Sequence, residues 1–457
     1  MNVSIILAAG EGTRMKSSIP KVLHKVAGKT ILSYVVDNCK ANAIDKNVVI
    51  VGHKKDEVMA HFEDRDLTFI EQEVGEGIPY GTGYAVSCAI DEFDDDDMVY
   101  ILTGDTPLFK EETIAKFMNY VESHDFDACV LTAIVKNPFG YGRIIRGVDS
   151  DISGIVEEKD ASDKEKAITE VNTGIFAFKG RVLRENIGNL STDNNQKELY
   201  LTDIIRLLRD KGQKIGGFTI GCEEEMLGIN SRVQLARCEH IMRRRINEKH
   251  MENGVSFLNP ETTMVDFDVE IGCDTVIDPG VHLEGETKIG KRCRVRGNSR
   301  ISDSVIADDV EIESSVIESS KVGENVTIGP FAHLRPNSVL EKDVHIGNFV
   351  EVKKSRVGEG TKAGHLAYIG DGDVGSGVNI SCGVIFCNYN GKEKFKTVVG
   401  DDAFIGSNAN LVAPVEIGEG AFIAAGSTIT KNVEGRSLAV ERSEQRNIPG
   451  WTKRKDR

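Results

Sequence analysis

The chain has 457 residues, enough for two or three domains that each bury a core, and its 72 acidic against 56 basic side chains leave a net charge of −16. That balance argues against a nucleic-acid surface held by counterion release, so any phosphate is bound locally. The start of the chain has no basic leader, the apolar runs are of strand length, and the nine cysteines form no C-x-x-C pair; a reduced, cytoplasmic setting without a signal peptide or membrane span is expected.

Up to about residue 228, short β-rich runs alternate with helical stretches. Strands are predicted at residues 3–8, 47–51, 67–70 and 98–102, and helices at 31–41 and 54–62. The pattern is that of an α/β sandwich on a mostly parallel sheet, where ligands gather beyond the carboxyl ends of the strands. Two segments fall at such ends: "ILAAGEGTRMKSSIPK" (6–21) and "LTGD" (102–105). In the first, Gly10 and Gly12 let backbone amides approach an anion, Arg14 offers a planar fork to phosphate oxygens, and Lys21 follows Pro20. The loop is neither a P-loop nor a dinucleotide fingerprint. By itself it reads equally as a phosphate loop or a structural turn.

Residues 230–251, "NSRVQLARCEHIMRRRINEKHM", are strongly charged with a thin apolar stripe and read as a linking helix. The expected division is therefore 1–229, a linker helix at 230–250, and 251–457. Beyond Val255 the period changes to six. Val322, Ile328, Leu334, Leu340, Ile346 and Val352 form one run; Val399, Ile405, Leu411, Ile417, Ile423 and Ile429 form another. Four residues after each lies a small or β-branched residue, such as Ala332, Ser338, Ala409, Ser427 or Val433. Three such hexads make one triangular coil of a parallel β-helix. The register slips between Val357 and Val374, and "NYNGKEKFK" (388–396) interrupts it. Such a solenoid could be only an oligomerisation stalk, but loops thrown out of it usually carry function.

The opening loop resembles the signature of the sugar-nucleotide pyrophosphorylases, L-A-A-G-x-G-T-R-M followed by P-K. Further motifs follow in order: "TGDTPL", "YGRI", "GIVEEKDA", "EVNTGIF" and "GINSRVQL". The resemblance implies nucleotidyl transfer, a reaction governed by charge neutralisation and positioning. It implies that Leu7, Ala8, Ala9 and Gly10 line the nucleotide, that Arg14 holds the leaving pyrophosphate, and that Lys21 holds the sugar phosphate. Asp105 and Asn230 are the implied ligands of magnesium (Mg2+), Thr103 and Gly104 flank the first of them, and Gly142, Glu157 and Asn172 meet the sugar. Gln72, Gly81 and Thr82 would read uracil. Here the sequence departs from the family: "EQEVGEGIPYGTGYA" carries about three extra residues by the family's spacing and has Tyr84 in place of a histidine, while Thr103 replaces a tyrosine.

The second half resembles the hexapeptide acyltransferases, which assemble as trimers with active sites between neighbouring coils. In "KAGHLAYIG" His365 matches the family's catalytic base, and Glu351 the carboxylate that orients it. Arg335 and Lys353 match phosphate-binding residues, and Lys394, on the insertion, matches a residue donated by a neighbouring subunit. Tyr368, Asn379, Asn388 and Tyr389 complete the polar set. Cys382, Asn388, Tyr389, Ser407, Ala425 and Arg442 align with acetyl-CoA contacts, and Cys382 stands where an alanine is usual. The tail from Ser437, with Trp451, is too basic and irregular to read as another coil and is expected against a neighbouring subunit.

Together the motifs resemble the bacterial family of bifunctional UDP-N-acetylglucosamine pyrophosphorylases and glucosamine-1-phosphate N-acetyltransferases. The resemblance implies a Rossmann-like nucleotidyltransferase domain, a linker helix and a left-handed parallel β-helix. It implies a cytoplasmic homotrimer whose substrates are UTP, acetyl-CoA, glucosamine 1-phosphate and N-acetylglucosamine 1-phosphate. The alternative is a single-activity sugar-1-phosphate nucleotidyltransferase with the β-helix as an oligomerisation or regulatory module.

Overall fold

The apolar runs of the first half become strands Asn2–Leu7, Lys46–Val51, Thr68–Glu71 and Met98–Thr103, all parallel. These come from a computed structural model that describes residues 1–75, 77–147 and 151–451. The sheet continues through Glu170–Lys179 to Ala128–Ile134 and Ile215–Ile220. Alternate side chains supply two cores, as strand geometry requires. Ile6, Val49, Val51, Leu102 and Leu131 face one layer of helices, and Val3, Ile5, Val48, Ile50 and Ile101 face the other.

One strand departs from the parallel scheme. Glu170–Lys179 runs antiparallel to both its neighbours. Its beginning, with Asn172, therefore lies at the edge where the other strands end. The hairpin Arg143–Arg146 and Ile152–Val156 joins that strand through Val171 and Arg143.

The backbone divides into two compact units, Met1–Met242 and Arg243–Arg457, and the division falls inside the helix Arg232–Glu252. The helix has a clear start. The Ser231 hydroxyl accepts from Gln234 N–H, and the Gln234 side chain accepts from Asn230 N–H at 2.9 Å. Among the described residues no helix is long and apolar enough to cross a membrane, and all nine cysteines are free.

The second unit is a left-handed parallel β-helix. Its short strands stack into three walls of 11, 10 and 9 strands. The hexad positions are its core: Val322, Ile328, Leu334, Leu340, Ile346 and Val352 are buried, as are Val399 through Ile429 at the same spacing. Corners recur every sixth residue in the left-handed region, with Asn325, Phe331, Asn337, Asp343 and Phe349 at φ 56, 60, 65, 58 and 59. Buried hydroxyls staple the coils where the sequence pattern admits small residues. The Ser338 hydroxyl donates to Arg335 O and to Val352 O one coil on, and Ser355 does the same for Lys353 and Ile369. The register slip is absorbed without breaking a wall: Val357 still pairs with Val374, one residue short of three hexads. The tail differs from its reading, because Leu438–Ala439 adds a last strand beside Phe422–Ile423. Trp451 is exposed, and residues 452–457 lie outside the described part.

Candidate active sites

In the first unit the site gathers at the carboxyl edge of the sheet. Asp105 follows the strand Met98–Thr103, and Gly104 makes the turn: its N–H donates to Leu7 O at 2.9 Å, and a Cβ there would press on that same carbonyl. Asn230 sits at the mouth of the charged helix, where Gln234 fixes its backbone. Lys21 joins the two. Its Nζ donates to Asp105 Oδ2 at 2.6 Å and to Asn230 Oδ1 at 3.1 Å. Two side-chain oxygens from distant parts of the chain thus converge on one cation. Gly12 makes room for the lysine, since a Cβ on it would lie 2.7 Å from Lys21 Cβ, and its φ of +62 suits glycine. Arg14 is exposed on the short helical turn Thr13–Met15, and Gly10 faces open space. Ala8 is buried, with its N–H on Ile50 O; Ala9 packs against Gly52.

A second group forms beside it. Glu157 Oε1 accepts from the Thr202 hydroxyl at 3.0 Å and lies against Gly142, where a Cβ would stand 3.2 Å away. Asn172 N–H donates to Gly142 O, which brings the three expected sugar residues together. Burial pushes the Glu157 carboxyl up, the Thr202 hydroxyl pulls it back, and Asp203, Asp160 and Glu198 push it further. Thr103 bonds to the Thr106 hydroxyl and fits beneath Gly174. Gln72 is buried just past the strand Thr68–Glu71, and Gly81 and Thr82 open a helix tied to the chain at 199–201. Tyr84 turns its hydroxyl to Cys88. The segment "KELYLTD" (197–203), overlooked in the sequence, therefore braces both the helix start at Gly81 and Thr82 and the Glu157 carboxylate.

In the β-helix, successive coils place Arg335, Glu351, Lys353, Tyr368 and Asn388 along one wall or its edge. Arg335 donates to Glu351 Oε1 at 3.1 Å. Lys394, carried on the insertion, lies beside Lys353. Lys394, burial and Arg335 together push the Lys353 ammonium down, and Asp371 opposes them. The expected pairing of Glu351 with His365 is not what the structure has: His365 Nδ1 lies 3.2 Å from Asn348 Oδ1, because 348 and 365 are register partners on one wall while Glu351 belongs to the next. Asn379 bonds to the Ser381 hydroxyl, and Tyr389, exposed on the insertion, donates to Gly391 O. Cys382, Ser407 and Ala425 stack on one corner: Cys382 O accepts from Asn408, Ser407 O from Gly426, and Ala425 O from the Arg442 guanidinium at 3.0 Å. Asn348, Asp371 and Thr202 are the functional neighbours that the sequence reading missed.

Fold and sites define a nucleotidyltransferase unit followed by a hexapeptide-repeat transferase unit. The description "MobA-like NTP transferase domain" matches residues 4–148, "GMPPB C-terminal domain" matches 261–363, and "Bacterial transferase hexapeptide (six repeats)" matches 396–431. The chain is 49% identical to the "Bifunctional protein GlmU" of Clostridioides difficile (strain 630) over 99% of this chain and 98% of that one. Proteins of the same name from Clostridium novyi (strain NT) and Alkaliphilus metalliredigens (strain QYMF) are 48% and 47% identical over the same shares. The chain belongs to the family of the bifunctional protein GlmU.

Proposed function

We infer that the protein carries out two transfers: the β-helix acetylates glucosamine 1-phosphate from acetyl-CoA, and the N-terminal unit joins the product to UMP from UTP, releasing pyrophosphate. The observation that carries this reading is likeness to bifunctional relatives across 99% of the chain, both halves included. It weighs against a single-activity nucleotidyltransferase.

In the first unit, the convergence of Asp105 Oδ2 and Asn230 Oδ1 on one cation suits magnesium, which takes few protein oxygens and fills its shell with water and phosphate. When bound, that ion neutralises charge building on the transferred phosphate. Lys21 then serves the sugar phosphate, Arg14 the leaving pyrophosphate, and Glu157 the sugar hydroxyls, with Gly142 and Asn172 around it. In the second unit, Arg335, Lys353 and Lys394 hold the phosphate of the amino sugar. Asn348 Oδ1 accepts from His365 Nδ1–H, which leaves Nε2 free to take the proton of the attacking amine. The corner at Cys382, Ser407 and Ala425 receives acetyl-CoA. The reading extends to a cytoplasmic homotrimer built through the β-helix. It is tested by assaying the two reactions separately: Asp105→Ala abolishes uridylyl transfer alone and His365→Ala acetyl transfer alone, the latter by about 10²–10⁴-fold. Failure of the unaltered protein to acetylate glucosamine 1-phosphate overturns the second half of the reading.

A further inference from the structure

Asn388 is buried, and its backbone is committed: its N–H donates to Phe386 O and its carbonyl accepts from Phe395. Its side-chain amide meets Asp371, with Nδ2 2.5 Å from Asp371 Oδ2, and lies 3.4 Å from the Tyr368 hydroxyl. A carboxylate oxygen can only accept, so the nitrogen end of the amide must be the end turned to Asp371. Asn388 Oδ1 is thereby turned away from Asp371, and among the described residues it takes no hydrogen bond. Asp371 is itself held in place at φ 50, its N–H on Lys353 O at 3.0 Å and its carbonyl receiving Thr397 N–H at 3.2 Å.

We propose that Asp371 is a positioning residue for acetyl transfer: it pins the Asn388 amide so that a carbonyl oxygen, and not an amide nitrogen, is presented to an N–H donor of the substrates. Two groups have that chemistry, the ammonium of the amino sugar and the amide N–H of the pantetheine arm. The inference rests on the acetyltransferase reading above. An unpinned amide would turn either end to the substrate, and the wrong end sets N–H against N–H.

A purely electrostatic role for Asp371 predicts the opposite outcome. Its carboxylate acts on the Lys353 ammonium, so neutralising it would tighten the hold on phosphate and lower KM for glucosamine 1-phosphate. Pinning predicts instead that Asp371→Asn, which keeps the size and tolerates the left-handed backbone, lowers kcat/KM for acetyl transfer about tenfold. A rise in KM for the amino sugar assigns Asn388 Oδ1 to the ammonium; a rise in KM for acetyl-CoA assigns it to pantetheine. Rescue is the decisive arm. Asn388→Asp alone sets two carboxylates face to face and costs far more, whereas Asn388→Asp with Asp371→Asn reverses the hydrogen bond, keeps an acceptor toward the substrate and recovers most of the activity. The experiment uses the full chain, with uridylyl transfer measured in each preparation. Unchanged kinetics in Asp371→Asn, a lowered KM for the amino sugar, or a double variant no better than Asn388→Asp overturns the inference. Absence of acetyl transfer in the unaltered protein overturns the acetyltransferase reading instead.

Discussion

Glu157 holds a position at odds with its charge. Burial favours its neutral form, three acidic neighbours add to that, and only the Thr202 hydroxyl favours the carboxylate. A carboxyl whose pKa is higher folded than unfolded subtracts from stability above the raised value, and subtracts nothing once pH falls below the ordinary range, about 4.3. Glu157→Gln is therefore expected to raise Tm at pH 7, with the gain fading at pH 4, while KM for N-acetylglucosamine 1-phosphate rises about tenfold. Thermal melts at the two pH values and uridylyl-transfer kinetics check both halves; a lower Tm at pH 7 contradicts the account. Residues of this kind were legible because their motifs carry chemistry directly. Thr202, Asn348 and Asp371 were not, since each acts on another side chain across a fold contact and no short spacing in the chain records that contact. For Asn348 the partner is the next coil, a register that emerges only when the wall is built.

At the scale of elements, hexads were readable because triangular coils demand an inward aliphatic residue at each wall and a small one at each corner. The direction of Glu170–Lys179 was not, because a strand buried on both faces reads the same whichever way it runs. That reversal is what puts Asn172 at the site. The insertion is an element of a different kind. It closes on itself through the bridge between Tyr389 and Lys394, and the walls resume past it, Cys387 pairing with Val412 and Val374 with Val399. Replacing residues 389–395 by a short glycine linker is expected to leave the β-helix folded and uridylyl transfer intact while acetyl transfer falls below detection. Circular dichroism and the two assays decide it; loss of the β-helix signal would mean that the insertion is structural.

Across the whole molecule the residues proposed for the two chemistries form separate sets. The cation fork of Lys21, Asp105 and Asn230 belongs to the first unit, whereas the residues proposed for acetyl transfer are a base and a set of phosphate-holding cations. Chelation with EDTA is therefore expected to stop uridylyl transfer and leave acetyl transfer at its full rate, a difference that one preparation assayed twice will reveal. The stacked coils have another consequence. Each contacts only the coil before and the coil after, so stability accumulates locally along the axis. The residues assigned to acetyl transfer all lie from Arg335 onward, and none of them falls in the coil between Leu283 and its wall partner Ile301. Solenoids of this kind are built like masonry: a course can be added or withdrawn below the working ones without disturbing the distances among them. A complete coil can thus be added or removed as a unit in this half, and a shorter change must be taken up outside the walls, as the one-residue slip between Val357 and Val374 and the insertion at 388–396 are.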